Sequence, residues 1–374
     1  MAHFGDVPGM MYRYLSQKGE EVAMQGSPVD QLIRTVRAVS RRGFLAAGAV
    51  VGLAPRFRAQ AACVPCAGQC LPLCGANCPS FPPTCELFPS DHIWRARVDA
   101  LPIHARSAAY IAHIGADQPM HMDFGSGLWD NGPIGIPMSV VSGDQPMSRV
   151  RFVEYGDESD PGPYRIPINA LIEGGPCGTH DRHVLVVDAD RCMLYELYHA
   201  RPRKRRNRWQ AGSGAIFDLS GYALRPEGWT SADAAGLPIL PGLVRYEEIA
   251  SGAIEHALRF TVEDAAGHVW PATHWEHSDE TSNVPAMGHR FRLRADFDAS
   301  GFSATNQVII IALKRYGMMI ADHGTNWYLS GVPDERWDND DLHTLAVAIQ
   351  GSDFECVDVS SLMISHDSGQ VRTG

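Results

Sequence analysis

Asp181, His183 and Glu196 are, by type and spacing, the residues of this sequence best suited to moving protons. All lie in IEGGPCGTHDRHVLVVDADRCMLYELYHA, residues 172–200. A carboxylate that orients an imidazole is what general acid–base catalysis requires. The same segment supplies a scaffold. Residues 184–187 are a continuous apolar run, Asp188, Ala189, Asp190 and Arg191 carry turn chemistry, and 192–198 mix aromatic with apolar side chains. That pattern predicts an antiparallel hairpin. With Ala189 and Asp190 as its two loop residues, His183 faces Glu196 and Asp181 faces Tyr198, with Cβ atoms about 5 Å apart. The plainer alternative is a cross-strand pair on a solvated face, and a slip of one residue would set Leu197 opposite His183.

Asp322 is the other carboxylate candidate, since it shares with His323 and Trp327 a predicted hairpin turn that exposes all three. Trp229, Arg245, Arg259 and Trp327 are candidates for holding a glycan: an indole face stacks on sugar C–H patches, and a guanidinium recognises carboxylate or sulfate. Residues 255–262 alternate, which places His256 with Leu258, Phe260 and Val262, either as an acid–base group or as a satisfied core histidine. Arg290, Arg292 and Arg294 share one strand face, suited to anions or to pairing with neighbouring acids. His180, Asp181 and His183 are too close along one strand to converge readily on a metal ion, so no metal or other cofactor is expected. No G-x-S-x-G elbow occurs, which leaves serine-triad chemistry without support.

The elements expected to position these groups form a mainly β domain, an antiparallel β-sandwich of jelly-roll type with two or three short helices packed on it. Between residues 94 and 172, short apolar pieces alternate with Gly and Pro rather than with helical patterns. Helices are predicted over 306–316, ended by Gly317, and over 340–350. A shorter one is predicted after Thr230, with Asp233 three residues on as in a capping box. Residues 88–362 make the main domain, and 363–374 read as a tail.

Ser40-Arg41-Arg42-Gly43-Phe44-Leu45, an apolar run to Leu53 and Ala59-Gln60-Ala61 follow one another as in a twin-arginine export signal. Residues 1–61 are therefore expected to be removed and the protein to be secreted or periplasmic. Their loss takes away eight Lys/Arg and four Asp/Glu and leaves a formal charge of −15. Such a balance argues against general nucleic-acid binding. No other run reaches the ~18 apolar residues of a membrane span. Cys63, Cys66, Cys70, Cys74, Cys78 and Cys85 crowd residues 62–87. In an exported chain they predict a disulfide-stapled segment, with a metal or cluster as the alternative. Cys177, Cys192 and Cys356 make the total odd, so at least one thiol stays free unless chains are cross-linked. Residues 201–208 hold six cations, either a solvated loop or a contact for an anionic glycan or cell-envelope polymer.

DESDPGPY (157–164), DRHVLVVD (181–188), LRPEGWTSADAAGLPILPGLVRYEE (224–248), EHALRFT (255–261), ALKRYGMMIADHG (312–324) and WYLSGVPDERWDNDDL (327–342) resemble a widespread family of secreted bacterial proteins of unassigned activity. The resemblance spans about residues 88–362. It implies secretion and a single domain, and carries no mechanism.

Together these features predict a secreted carbohydrate-active enzyme, a hydrolase or lyase of an extracellular polysaccharide. His183 would be the acid–base group, Glu196 its orienter and Asp181 or Asp322 the second carboxylate. The alternative is a noncatalytic cell-wall or glycan-binding protein with the same aromatics and arginines.

Overall fold

The computed structural model describes residues 81, 85–130, 132–203, 208–275 and 283–372, together with the two-residue strands Cys63–Val64 and Gln69–Cys70. The expected export signal and most of the cysteine-rich segment lie outside the described residues. The described part is mainly β, with four α-helices, and belongs to one folded unit.

Its largest sheet has six strands in the order Phe354–Val357, Arg290–Leu293, Met318–His323, Leu258–Val262, Tyr328–Ser330 and His121–Asp123. Helix Ala304–Arg315 feeds the Met318–His323 strand directly. Ser303 caps its start by accepting the Asn306 N–H, and Gly317 takes φ 64° at its end. A Cβ at Gly317 would lie 2.2 Å from the Phe291 carbonyl oxygen, so glycine is required there on two counts. The second predicted helix runs Asn339–Ala348, started by Asp338, which accepts from the Asp340 and Asp341 N–H groups.

A four-stranded sheet follows the order Ser213–Asp218, Met193–Tyr198, Val184–Asp188, Met138–Val141. The expected hairpin is present, but its register differs. Leu185 faces Glu196 and Val184 faces Leu197. The two-residue turn gives way to a four-residue loop because Asp188 Oδ1 accepts from the Asp190 and Arg191 N–H groups, and Cys192 adopts φ 51°. A displacement of two residues preserves the side on which each residue projects. His183 and Glu196 therefore still point the same way, although they are not opposed.

The hairpin is buried on both faces, as its unbroken apolar run requires. Leu185, Val187 and Leu194 join the main core with Phe260, Ile320 and Trp327. Val184, Val186, Tyr195 and Leu197 join a second core with Tyr164 and Trp209. Trp209 belongs to a three-stranded sheet, Arg201–Arg203, Arg208–Ala211, Arg149–Phe152.

Several expectations are corrected. The all-antiparallel, jelly-roll-like pairing is replaced by mixed sheets, since Leu258–Val262 with Met318–His323, Tyr328–Ser330 with His121–Asp123, and Met138–Val141 with Val184–Asp188 are parallel. Parallel pairs need long crossovers, which Gly- and Pro-rich sequence disguises as loops. The short helix after Thr230 is a turn: the Thr230 and Ser231 hydroxyls both donate to the Asp233 carbonyl, and the Asp233 N–H donates to Ser231 Oγ. Cys85 bonds to Cys192 across the chain rather than within its own segment. Cys177 is also in a disulfide, while Cys356 is a buried free thiol. The supposed tail folds back, with Ile93 N–H donating to the Gly369 carbonyl and Val371 N–H to that of Asp91.

Candidate active site

Adjacent strands of the large sheet bring Asp322, Arg259, Ser330 and Asp123 into one polar row. Arg259 is its hub. Its Nε donates to Asp233 Oδ2 at 2.7 Å and its Nη2 to Asp233 Oδ1, while Nη1 reaches Ser330 Oγ and Nη2 lies 3.3 Å from Asp322 Oδ2. The turn over residues 230–236 delivers Asp233. Its reversal passes through Gly236 at φ 72°, where a Cβ would meet Thr273 Oγ1 at 2.2 Å. Asp233 and Arg259 are both almost completely buried. Burial and then the Asp233 charge push the Asp322 carboxyl well above the usual range, against Arg259 and His183.

From the four-stranded sheet, His183 descends toward this row. Its Nδ1 is 2.7 Å from Glu173 Oε2, its backbone N–H donates to the same oxygen at 3.2 Å, and Nε2 bonds the Ala232 carbonyl at 3.1 Å. With both ring nitrogens facing acceptors, the imidazolium is the form that fits. Burial alone would lower its pKa, but Glu173, Asp181 and Asp233 outweigh it and raise it to about 10. Burial likewise opposes ionisation of Glu173, and the His183 charge and hydrogen bond overcome it, holding that carboxyl below the usual range.

Glu173 stands on a loop built for close approach. Gly174 and Gly175 follow it at φ 67° and 73°. A Cβ at Gly132 would lie 2.4 Å from the Gly174 backbone, so the small hairpin carrying Trp129 packs directly on this loop. The Arg182 guanidinium donates to the Gly175, Gly178 and Ala200 carbonyls and fixes the loop's far side.

Glu173, Asp181 and Asp123 open onto a cleft of about 700 Å³, walled on one side by Asn339 and His343 of the last helix. Trp129, 78 % exposed, stands at its edge, and His121 stacks on Tyr328 along it, ring centroids 4.2 Å apart. Asp123 remains open to solvent at its tip. The cleft walls, and then the charges of Glu173 and Asp181, raise its pKa against His121 and Arg259. A narrower polar cavity of about 180 Å³ lies against Asp233, Asp322, Tyr198 and Ser213, and Asp181 lines both spaces.

The site thus gathers three of the four catalytic candidates in altered roles. Asp181 lines the cleft, His183 backs Glu173, and Asp322 lies under Arg259. Glu196 is separate from them in its bonding: it is wholly buried and accepts the Ile239 and Leu240 N–H groups at 3.0 Å rather than orienting His183. Burial raises its pKa to about 7, those amides and His183 acting against the shift and Asp233 with it.

Three of the glycan-holding candidates, Trp327, Arg259 and Arg245, are corrected for physical reasons. Trp327 is fully buried between Phe260 and Phe354, its Nε1–H donating to the Gly115 carbonyl. Arg259 is spent on carboxylates, and Arg245 on Glu248 beneath the Phe81 ring. Trp229 is half-buried under Arg225. His256 is a satisfied core histidine, bonded to Glu248 and to the Ala257 carbonyl. Arg290 and Arg292 donate to backbone carbonyls, and Arg294 pairs with Asp296.

Sequence reasoning missed Glu173 and Asp123 and read Asp233 as a helix cap. The one available signal was the glycine pair immediately after Glu173, which frees that loop to fold back on the hairpin. One ligand atom each of His183, Asp233 and Asp322 lies within 4.8 Å of the others, a spacing compatible with a metal ion. In this arrangement, however, Ala232 takes the His183 nitrogen and Arg259 supplies the positive charge between the carboxylates. Compared with protein-family profiles, curated proteins and solved structures, the chain matches none.

Proposed function

We propose that this protein is an extracytoplasmic enzyme that cleaves the glycosidic bonds of a polysaccharide, as a hydrolase or lyase, by carboxyl acid–base chemistry. One observation carries the proposal: Asp123 and Glu173 line the same cleft with pKa values displaced in opposite directions. Such a pair divides the labour of acid and base at one pH. In this reading Asp123, its pKa displaced upward, is the group that donates a proton to the leaving oxygen. Glu173, kept ionised by His183, acts on the opposite partner, as base or nucleophile. Asp181 lies within charge range of both Asp123 and His183. Trp129, with the stacked His121 and Tyr328, offers flat aromatic surface to sugar rings. The twin-arginine signal read from the sequence supports export to where such polymers occur.

The test is to screen the purified protein against a panel of polysaccharides while following both new reducing ends and unsaturated products. Turnover that falls by roughly 10²–10⁴ in Glu173→Gln and in Asp123→Asn supports the assignment. Glycan binding that depends on Trp129, without any turnover, would instead establish a noncatalytic glycan-binding protein.

A further inference from the structure

The three-stranded sheet carries a feature the cleft does not use. Arg201 pairs with Gln210 and Gln210 with Arg151, while Arg203 pairs with Arg208 and Arg208 with Arg149. Directly paired residues, and alternate residues along a strand, project to one side. All five arginines therefore occupy one face of this sheet. Val150, Trp209 and Phe152 occupy the other, against the second core. Arg149, Arg151, Arg201 and Arg203 are exposed and Arg208 is half-buried. None of the five forms an ion pair with a carboxylate among the described residues; Arg201 touches His199 and Arg203 touches Gln210. The nearest acid these contacts reach is Glu154, bonded to the far side of the His199 ring, so among the described residues the five cations of a chain of formal charge −11 form a patch without direct carboxylate partners.

We propose that this face binds an anionic polysaccharide, one bearing carboxylate or sulfate groups. Strand spacing sets the guanidinium stems on a grid of about 4.8 Å by about 6.7 Å. Arginine forks pair with planar carboxylates and with sulfate through two parallel hydrogen bonds. Among the described residues the strand positions of this face hold no Phe, Tyr or Trp, the rings on which single-stranded nucleic acid stacks most strongly. The exposed apolar side chains nearby, Met147 and Val153, stand singly at opposite ends of the Arg149–Phe152 strand, not as the continuous apolar face that enters a membrane interface. Arg201 follows Tyr198, which lines the inner cavity, by three residues, a reach of at most about 10 Å that bends at His199, φ 51°. The inference deepens the polysaccharide-cleaving reading by naming the polymer's charge, and direct binding tests it without turnover.

Fluorescently labelled polygalacturonate and dextran sulfate are titrated with the purified protein at low and moderate salt, beside neutral dextran, single-stranded DNA and anionic phospholipid vesicles. The expected result is binding of the two acidic polysaccharides, weakened roughly tenfold or more between 50 and 200 mM salt. Arg149→Gln/Arg151→Gln/Arg201→Gln is expected to lose at least about tenfold in affinity with an unchanged melting temperature, and the matching Lys triple variant to retain part of it. Arg294→Gln, an exposed arginine outside both the cleft and this face, is expected to bind as the parent does. Acidic polysaccharides that bind no better than neutral dextran, a preference for DNA or vesicles, or a Gln variant that binds as the parent does would each overturn the proposal. Arginine-dependent binding with no turnover of any glycan would leave it standing and remove the cleavage reading; turnover with binding indifferent to the arginines would do the reverse.

Discussion

One carboxylate oxygen of Glu173 accepts from His183 twice, from the ring at 2.7 Å and from the backbone N–H at 3.2 Å. The imidazole thereby fixes the charge and the direction of a carboxylate that reaches the cleft. Under the proposed assignment, activity requires Glu173 ionised and Asp123 protonated. Rate is then lost as pH falls through the lowered Glu173 value and lost again as pH rises through the raised Asp123 value. In a kcat/KM profile, His183→Asn should move the acid limb upward, toward the ordinary glutamate range, because Asn can donate a hydrogen bond but brings no charge. A limb that stays in place would show that His183 does not tune Glu173.

The same pair carries a stability signature. The His183 value of about 10 lies above the unfolded 6.5, so its contribution is complete below pH 6.5 and disappears as pH rises through 10. Glu173, depressed, contributes fully above its unfolded 4.5 and is lost as pH falls through its folded value. Both contributions are complete between about pH 4.5 and 6.5. Denaturant titrations of His183→Asn should show the loss relative to the parent largest in that window. A loss that is constant from pH 4 to 10 would contradict the ion pair.

Arg259→Met should cost about 3–5 kcal/mol, since it leaves Asp233 buried without its hydrogen-bonded guanidinium. Adding Asp233→Asn should restore part of the loss, because the uncompensated charge is then gone. Urea unfolding of the two variants measures this. A single variant within about 1 kcal/mol of the parent would mean that the buried charges are compensated elsewhere.

What was legible in the sequence follows from what is local. The Ala304–Arg315 helix, Gly317 behind it, and the apolar hairpin strands are set by periodicity and backbone permissiveness within a few residues. Asp181, His183 and Asp322 were recognised because polar groups stand out against apolar runs. The partners that decide their roles come from far along the chain: Asp123 reaches the site by a parallel pairing with Tyr328–Ser330, and Arg259 meets Asp233 across a turn that imitates a capped helix. The hairpin register turned on a single Asp188 hydrogen-bonding motif, which no apolar pattern encodes.

Cys85 and Cys192 are separated by 107 residues, so their bond closes a long loop. In the chain-entropy account a loop of that size is worth about 5 kcal/mol. The Cys85→Ala/Cys192→Ala variant should therefore unfold at distinctly lower urea concentration than the parent, and the parent with reductant should approach it. A variant as stable as the parent would show that strain or residual structure cancels the cross-link.

Glu196 gives the opposite pH signature from Glu173. Its folded value of about 7 exceeds its unfolded 4.5, so the folded protein binds the proton more tightly. Stability from this group is greatest below pH 4.5 and declines as pH rises to about 7, by up to roughly 3 kcal/mol. Glu196→Gln keeps an oxygen able to accept from the Ile239 and Leu240 N–H groups but has no charge to ionise. Compared by denaturant titration at pH 5 and pH 8, the variant should gain on the parent at the higher pH. Parallel behaviour at both would mean that water or a counter-charge reaches the buried carboxylate. The gain, if seen, would place Glu196 among the groups that tie the hairpin to the 239–240 segment rather than among those that react.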